Sequence, residues 1–329
     1  MVSVQSMTNT DTRDAQATLK QIEELESEGC EIIRVAVPDM QAAASLPQII
    51  RGIGIPLVAD IHFEYRLALE SLKAGVDGLR INPGNIGKRN QVAEIVAAAR
   101  ERSVPIRIGV NAGSLEKRLL EKYNGVTPEA MAESALDQIR IFEDLYFTDI
   151  KISLKASSIP LMLDAYRLLA EKVDYPFHVG VTEAGTLRAG TVKSAVGIGI
   201  LLNEGIGDTI RVSLTSHPVH EVRVAYEILK ALAMRQRGVE LISCPTCGRT
   251  QIDLIKVAGE VEERLKNLNK CIKVAVMGCV VNGPGEAREA DVGIAGGCGE
   301  GLIFRKGVVI RKVPEDKLVD ELMKEIEMI

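Results

Sequence analysis

The sequence predicts an α/β protein: a (β/α)8 TIM barrel followed by a small α/β domain that holds most of the cysteines. Three observations lead there. Up to about residue 238, short apolar runs alternate with amphipathic stretches, and eight strand candidates can be counted. Strict strand–helix alternation means a parallel sheet, and eight such units close naturally into a barrel. The rival, a doubly wound open sheet, would usually show a glycine fingerprint after its first strand, where Gln5-Ser6-Met7-Thr8-Asn9 offers none. Beyond residue 240 the alternation stops, and five of the six cysteines lie there.

In chain order, the strands are expected at 2–7, 31–37, 56–61, 78–83, 105–111, 149–155, 177–182 and 208–214. Helical patterns cover 12–28, 63–74, 90–102, 128–145, 160–172 and 219–236. Thr127-Pro128-Glu129 is a helix start, with Thr as cap and Pro at the first helical position. The second segment reads as a Cys-rich turn, a helix (252–268), a strand (272–277) and a long Gly-rich loop (278–299). A hairpin at 302–313 follows, turning at Lys306-Gly307, and then an amphipathic helix at 315–329 with acids at its start. The expected domains are therefore 1–238 and 239–329.

Composition excludes several classes. With 329 residues, 46% of them hydrophobic and 26% charged, the chain is an ordinary soluble globular protein. Trp is absent and aromatics reach 3%, which argues against a base-stacking surface for nucleic acid. Forty basic against 45 acidic residues leave a formal charge of −5, so a global footprint for nucleic acid or anionic membrane is missing, while a local anion pocket is allowed. No apolar run approaches the roughly 18–20 residues of a membrane span. The first residues lack the features of a signal peptide, so a cytoplasmic location is expected. In a reducing compartment, cysteines serve metal or redox chemistry more often than disulfides.

Barrel enzymes work at the C-terminal ends of their strands. Polar residues there include Asp60 and His62, Arg80 and Asn82, Arg107 and Asn111, Lys151, Ser153 and Lys155, and Arg211 and Ser213. Within each strand, residues two apart share a face. Five cations from four strands repel one another unless an anion joins them, and a phosphate or diphosphate would do so. Gly84-Asn85-Ile86-Gly87-Lys88 lacks the spacing of a phosphate loop and reads as a turn into a helix. His217 and His220 begin a helix, where surface and capping roles are commoner than metal binding. His178 lies in an apolar strand as a core or pocket residue.

Cys244-Pro245-Thr246-Cys247 is a CxxC turn, and Cys279 opens a Gly-rich stretch. The turn alone allows a zinc knuckle, a redox pair or part of an iron–sulfur site. Zinc ribbons want a second close pair, which Cys279 and Cys298 do not form. Three thiolates with a Gly-rich wrap suit a cluster instead, because its sulfides take backbone N–H donors.

Seven blocks carry a resemblance: QSMTNTDT (5–12), RINPGNIG (80–87), RIGVNAGSL (107–115), HVGVTEAG (178–185), RVSLT (211–215), SCPTCGR (243–249) and CVVNGPGEAREADVGIAGG (279–297). Together, in order and over nearly the whole chain, they resemble the 4-hydroxy-3-methylbut-2-enyl diphosphate synthases of the non-mevalonate isoprenoid pathway. The resemblance implies a barrel joined to a [4Fe–4S] domain, acting as a reductase that opens and dehydrates a cyclic diphosphate with two electrons from ferredoxin or flavodoxin. It makes Cys244, Cys247 and Cys279 the cluster thiolates and Glu286 the fourth ligand. It assigns Arg80, Arg107, Asn111, Lys155 and Ser213 to the diphosphate and Glu183 to proton donation. This chain begins directly at strand one, whereas members of the family carry a short extension before it, so the barrel bottom is open or the chain is trimmed. Cys271 and Cys298 fall outside the family motif and read as incidental thiols, though either could compete with Glu286.

Two other readings stand beside this one: a barrel transferase or hydrolase with a structural zinc, and a non-catalytic cluster carrier. A homodimer is also expected. The last barrel helix, at 219–236, runs about 27 Å away from the active-site mouth. With only a short link after it, the second domain emerges at the wrong end to cap its own barrel, so a head-to-tail dimer would share each active site between subunits.

Overall fold

The computed structural model describes residues 1–82, 85–266, 268, 270–279 and 287–329. It divides into two compact units, Met1–Met234 and Arg235–Ile329.

The first unit is an eight-stranded parallel barrel. Its strands are β1 (Ser3–Met7), β2 (Ile32–Ala36), β3 (Leu57–Asp60), β4 (Gly78–Ile81), β5 (Ile106–Asn111), β6 (Ile150–Lys155), β7 (His178–Val179) and β8 (Thr209–Ile210). The ladder runs β6-β5-β4-β3-β2-β1-β8-β7, and an isolated Ile152–Phe177 bridge joins its two ends. Helices α1 (Ala15–Ser27), α2 (Met40–Arg51), α3 (Tyr65–Ala74), α4 (Arg89–Arg102), α5 (Lys117–Lys122), α6 (Pro128–Asp144), α7 (Ile159–Ala170), α8 (Leu187–Asn203) and α9 (Pro218–Ala231) intervene or follow. The expected cap is present: Thr127 Oγ1 accepts from the Ala130 N–H at 3.2 Å, with Pro128 opening α6. The last barrel helix is shorter than its pattern, ending at Ala231 rather than 236.

Register decides which side chains share the barrel interior. Asp60 pairs with Arg80, Arg80 with Arg107, and Arg107 with Lys151. Paired residues of parallel strands face the same side, so these four belong to one face of the sheet. Asn111 and Lys155 pair further along the same two strands. Outside the ring, Leu46, Ile49, Leu72, Ile95, Phe142 and Leu169 are fully or nearly fully buried and glue the helices on.

The second unit holds five strands, β9 (Glu240–Ser243), β10 (Lys273–Met277), β11 (Val292–Gly296), β12 (Glu300–Arg305) and β13 (Val308–Pro314), in the order β13-β12-β11-β10-β9. Helices α10 (Leu254–Leu265) and α11 (Leu318–Glu327) accompany them. The hairpin turns at Lys306-Gly307 as expected, with φ 48° and 76°. Two elements differ from expectation. β9 precedes the CxxC turn, and β11 lies inside what reads as one long loop (278–299). β9, β10 and β11 are mutually parallel, so their C-terminal ends share one edge of the sheet. Among the described residues, no helix is long and apolar enough to cross a membrane.

Candidate active site

Within the barrel unit, the described residues bury four cations, Arg34, Arg80, Arg107 and Lys155, against two carboxylates, Asp60 and Glu221. Arg80 Nη1 donates to Asp60 Oδ1 at 3.1 Å and lies 3.3 Å from His62 Nε2. Arg34 Nε lies 3.5 Å from Asp60 Oδ2. Arg107 Nη1 donates to Gln5 Oε1 at 2.9 Å, a neutral partner reached across the ring. The Lys155 amine has no hydrogen bond or ion pair among the described residues, and Arg211 Nη2 lies 3.5 Å from Glu221 Oε2. The Nε atoms of Arg80, Arg107 and Arg211 are buried without a partner. Buried donors without acceptors cost free energy, and an anion between them would remove that cost.

The electrostatics agree. Burial pushes Lys155 well below the usual lysine range, and Arg34, Arg211, Arg107 and Arg80 push it further. Burial lowers Arg107 as well, reinforced by Arg34 and Arg80 and opposed by Asp60. Burial also brings Arg34 down to about 9, although Asp60 resists. Burial would raise Asp60, but Arg34, His62, Arg80 and Arg107 outweigh it and hold the carboxyl far below the usual range. These groups therefore feel one another and share one site.

Two glycines make room for the cations. A Cβ at Gly109 would lie 2.7 Å from Arg80 Nε, and one at Gly180 would lie 2.3 Å from the Arg211 carbonyl oxygen and 3.3 Å from Lys155 Nζ. Asn111 ends β5 and Ser213 follows β8, both half-buried. Glu183 is exposed just past β7 and holds a left-handed backbone, φ 52°. Such strain in a non-glycine residue marks a conformation imposed by its surroundings. The turn is tied down where Thr215 N–H donates to the Gly185 carbonyl at 2.9 Å.

His178 is buried in the barrel unit: its Nδ1 lies 2.8 Å from Thr209 Oγ1, and its Nε2 is buried without a partner. Burial first, then Arg107 and Lys155, lowers its pKa well below the ordinary value. Lys151 lies deeper, half-buried, and its pKa is lowered by burial and by Arg107 while Asp208 opposes. His217 occupies the N-cap position of α9 without a side-chain capping bond, its Nε2 3.8 Å from Glu24, and His220 is half-buried in the first turn. Sequence reasoning missed Arg34 and Glu221. The available signal for Arg34 was a lone charge inside the apolar run Ile32–Ala36.

In the second unit, Cys244, Cys279 and Cys298 follow the C-terminal ends of β9, β10 and β11, with Cys247 in the turn after β9. Cys271 precedes β10 and so belongs to the opposite edge, where its Sγ contacts the Gln236 carbonyl at 3.7 Å. Gly278 N–H donates to Cys244 Sγ at 3.1 Å. Backbone and side-chain hydrogen bonds from Arg249 lower the Cys247 thiol below its ordinary value. N–H donors on sulfur and a nearby cation favour thiolate, the form that binds metal. Glu286 lies outside the described residues. Among those described, no three His, Cys, Asp or Glu side chains gather closely enough to hold a metal.

The fold and the barrel residues define a class: a TIM barrel with a cluster of buried cations, and a separate cysteine-bearing domain on the same chain. The GcpE TIM-barrel domain matches residues 1–226 and the GcpE protein C-terminal domain matches 240–328, and the chain belongs to the GcpE family. A relative from Geobacter sulfurreducens is 66% identical over 327 residues, covering 99% of this chain and 93% of its own, and is named 4-hydroxy-3-methylbut-2-en-1-yl diphosphate synthase (flavodoxin). A Clostridium acetobutylicum relative of the same name is 63% identical, covering 99% of this chain and 93% of its own. Among solved structures, the Yersinia pestis dihydropteroate synthase superposes with a TM-score of 0.50 at 14% identity, covering 71% of this chain and 93% of that one, which shows a shared barrel fold alone.

Proposed function

We propose that this chain converts 2-C-methyl-D-erythritol 2,4-cyclodiphosphate to 4-hydroxy-3-methylbut-2-enyl diphosphate by two-electron reductive ring opening and dehydration. Two electrons and two protons enter, the ring C–O bond to phosphate and one C–O bond to hydroxyl break, and one water leaves. The observation that carries this reading is the cluster of buried, under-partnered cations at the barrel mouth. It fits the doubly charged head of the substrate that the relatives' name implies.

The roles follow from the chemistry. Arg80 and Arg107 offer forked donors to the diphosphate, Lys155 a point charge, and Asn111 and Ser213 neutral donors. Holding the diphosphate still orients the carbon skeleton for reaction. Asp60 keeps Arg80 and Arg34 in place, and Glu183 gives a proton to the departing hydroxyl. Cys244, Cys247, Cys279 and Glu286 would hold a [4Fe–4S] cluster, which when bound supplies single electrons and Lewis acidity. The reading places the protein in the cytoplasm with flavodoxin as donor. It also includes a homodimer whose active site is shared between subunits. Mixing Cys244→Ser protein with Glu183→Gln protein, each inactive alone, then restores activity, and proven heterodimers without activity would refute the sharing.

Anaerobic purification followed by iron, acid-labile sulfide and zinc quantification tests the cofactor. About four iron and four sulfide per chain are expected. A full zinc complement without sulfide would instead support a hydrolase or transferase with a structural metal.

A further inference from the structure

The barrel closes where β6 meets β7. Among the described residues, the ladder pairing of these strands is the isolated Ile152–Phe177 bridge, where Ile152 N–H donates to the Pro176 carbonyl at 2.9 Å. In a regular parallel ladder the next bond would run from Leu154 N–H to the His178 carbonyl. Instead the phenol of Tyr166, on α7, stands between these two groups. Its oxygen accepts from Leu154 N–H at 3.0 Å, and its O–H donates to the His178 carbonyl at 2.7 Å. Beyond the phenol, Thr182 N–H donates to the Ala156 carbonyl at 3.4 Å.

We infer that Tyr166 is a positioning residue for Lys155: its inserted hydroxyl sets the β6–β7 gap and so places the Lys155 amine opposite Gly180. The inference rests on the reading that the barrel cations hold a diphosphate. Lys155 directly follows Leu154, whose amide the phenol holds, and Gly180 lies two residues past His178, whose carbonyl the phenol also holds. Gly180 has no room for a Cβ, with the Arg211 carbonyl oxygen at 2.3 Å from that position and Lys155 Nζ at 3.3 Å. The amine thus lies beside Gly180, across the seam that Tyr166 spaces. The ring is itself immobilised, fully buried and set edge-on to Phe177 with centroids 5.6 Å apart. Burial also raises the phenol's pKa, so it keeps its proton and donates at any working pH.

Tyr166→Phe removes only the oxygen and lets Leu154 N–H pair directly with the His178 carbonyl, which narrows the gap. The test is a double-mutant cycle read by inorganic pyrophosphate binding to the full chain, with folding checked by circular dichroism. Tyr166→Phe should weaken pyrophosphate about tenfold, and in a Lys155→Met background the same change should have almost no effect, because coupled residues fail additivity. Tyr226→Phe, which removes another buried phenol bonded to the Gly29 carbonyl at 2.8 Å, should leave affinity within about twofold. An equal loss in both backgrounds, or none in either, overturns the inference. If Tyr166→Phe does not fold, the unmodified chain supplies the test. Pyrophosphate should slow amide exchange at Leu154, and unchanged exchange would overturn the coupling. Failure of the unmodified chain to bind pyrophosphate would instead overturn the diphosphate reading, and this inference with it.

Discussion

Asp60→Asn tests the electrostatics of the barrel mouth most sharply. The substitution keeps shape and removes the one charge that faces Arg80 at 3.1 Å and Arg34 at 3.5 Å. Asp60 is 3% exposed and Arg34 and Arg80 are each 6% exposed, so water cannot take over the lost role. Removing one partner of a buried ion pair costs about 3–5 kcal/mol, because the remaining charge is left uncompensated. The amide oxygen can still accept from Arg80, which puts the expectation near the lower end, about 3 kcal/mol. For a unit of this size that lowers Tm by roughly 6–12 °C. Calorimetric melting with and without pyrophosphate is the assay. An anion should return about 2.7 kcal/mol at a hundredfold excess over its Kd. Its affinity should rise in the variant, since a repelling carboxylate has gone. The wild-type contribution has a defined pH window. Asp60 is depressed in the folded state, so its stabilisation is complete above about pH 4 and is lost as pH falls below that. A Tm within about 2 °C of wild type, or weaker pyrophosphate binding, would refute the reasoning.

Other outcomes follow from the same geometry. Gly109→Ala puts a methyl 2.7 Å from Arg80 Nε, so the guanidinium must turn away while the fold holds, and pyrophosphate affinity should fall about tenfold by titration calorimetry. His178 is held neutral by burial, so as pH drops below about 6.5 the unfolded chain gains a proton that the native one refuses. Denaturant melts should lose about 1.4 kcal/mol per pH unit from this residue, and His178→Gln should remove that slope. Serine at Cys244, Cys247 or Cys279 should abolish iron binding measured by metal analysis. Serine at Cys30 should not, since that thiol is buried in the barrel unit and burial pushes it up to about 11. Cys271→Ser should also retain iron, because Cys271 lies at the sheet edge away from the other thiols.

Much of this was legible in the sequence, for identifiable reasons. Alternating periodicity exposed most of the barrel, because each parallel strand is a short buried run and most flanking helices are amphipathic. α2, α5 and α8 fall outside the expected helical ranges: Pro47 interrupts the pattern of α2, α5 is six residues long, and α8 is apolar around most of its circumference, so no 3.6-residue period stands out. β11 (VGIAG) escaped because glycines interrupt the apolar run that marks a strand. The two-residue spacing of Lys151, Ser153 and Lys155 placed them on one face directly. What no local pattern encodes is closure. Arg107 meets Gln5 across 102 positions of sequence, Glu221 reaches Ser6 across 215, and Tyr166 enters a seam that exists only once the ring is formed. Arg34 belongs with these, since its role is defined by Asp60 on the next strand and Met7 on the previous one.

The most direct test of the account is a single anaerobic turnover measurement. Iron-loaded protein is mixed with reduced flavodoxin and 2-C-methyl-D-erythritol 2,4-cyclodiphosphate, and the diphosphates are followed by mass spectrometry. The account predicts a linear diphosphate lighter by one oxygen atom, formed with oxidation of two flavodoxin equivalents when each gives one electron, and absent in the Glu183→Gln and Arg107→Met variants. Unreacted cyclodiphosphate in the presence of a fully loaded cluster and reduced flavodoxin, or hydrolysis without electron uptake, would contradict it.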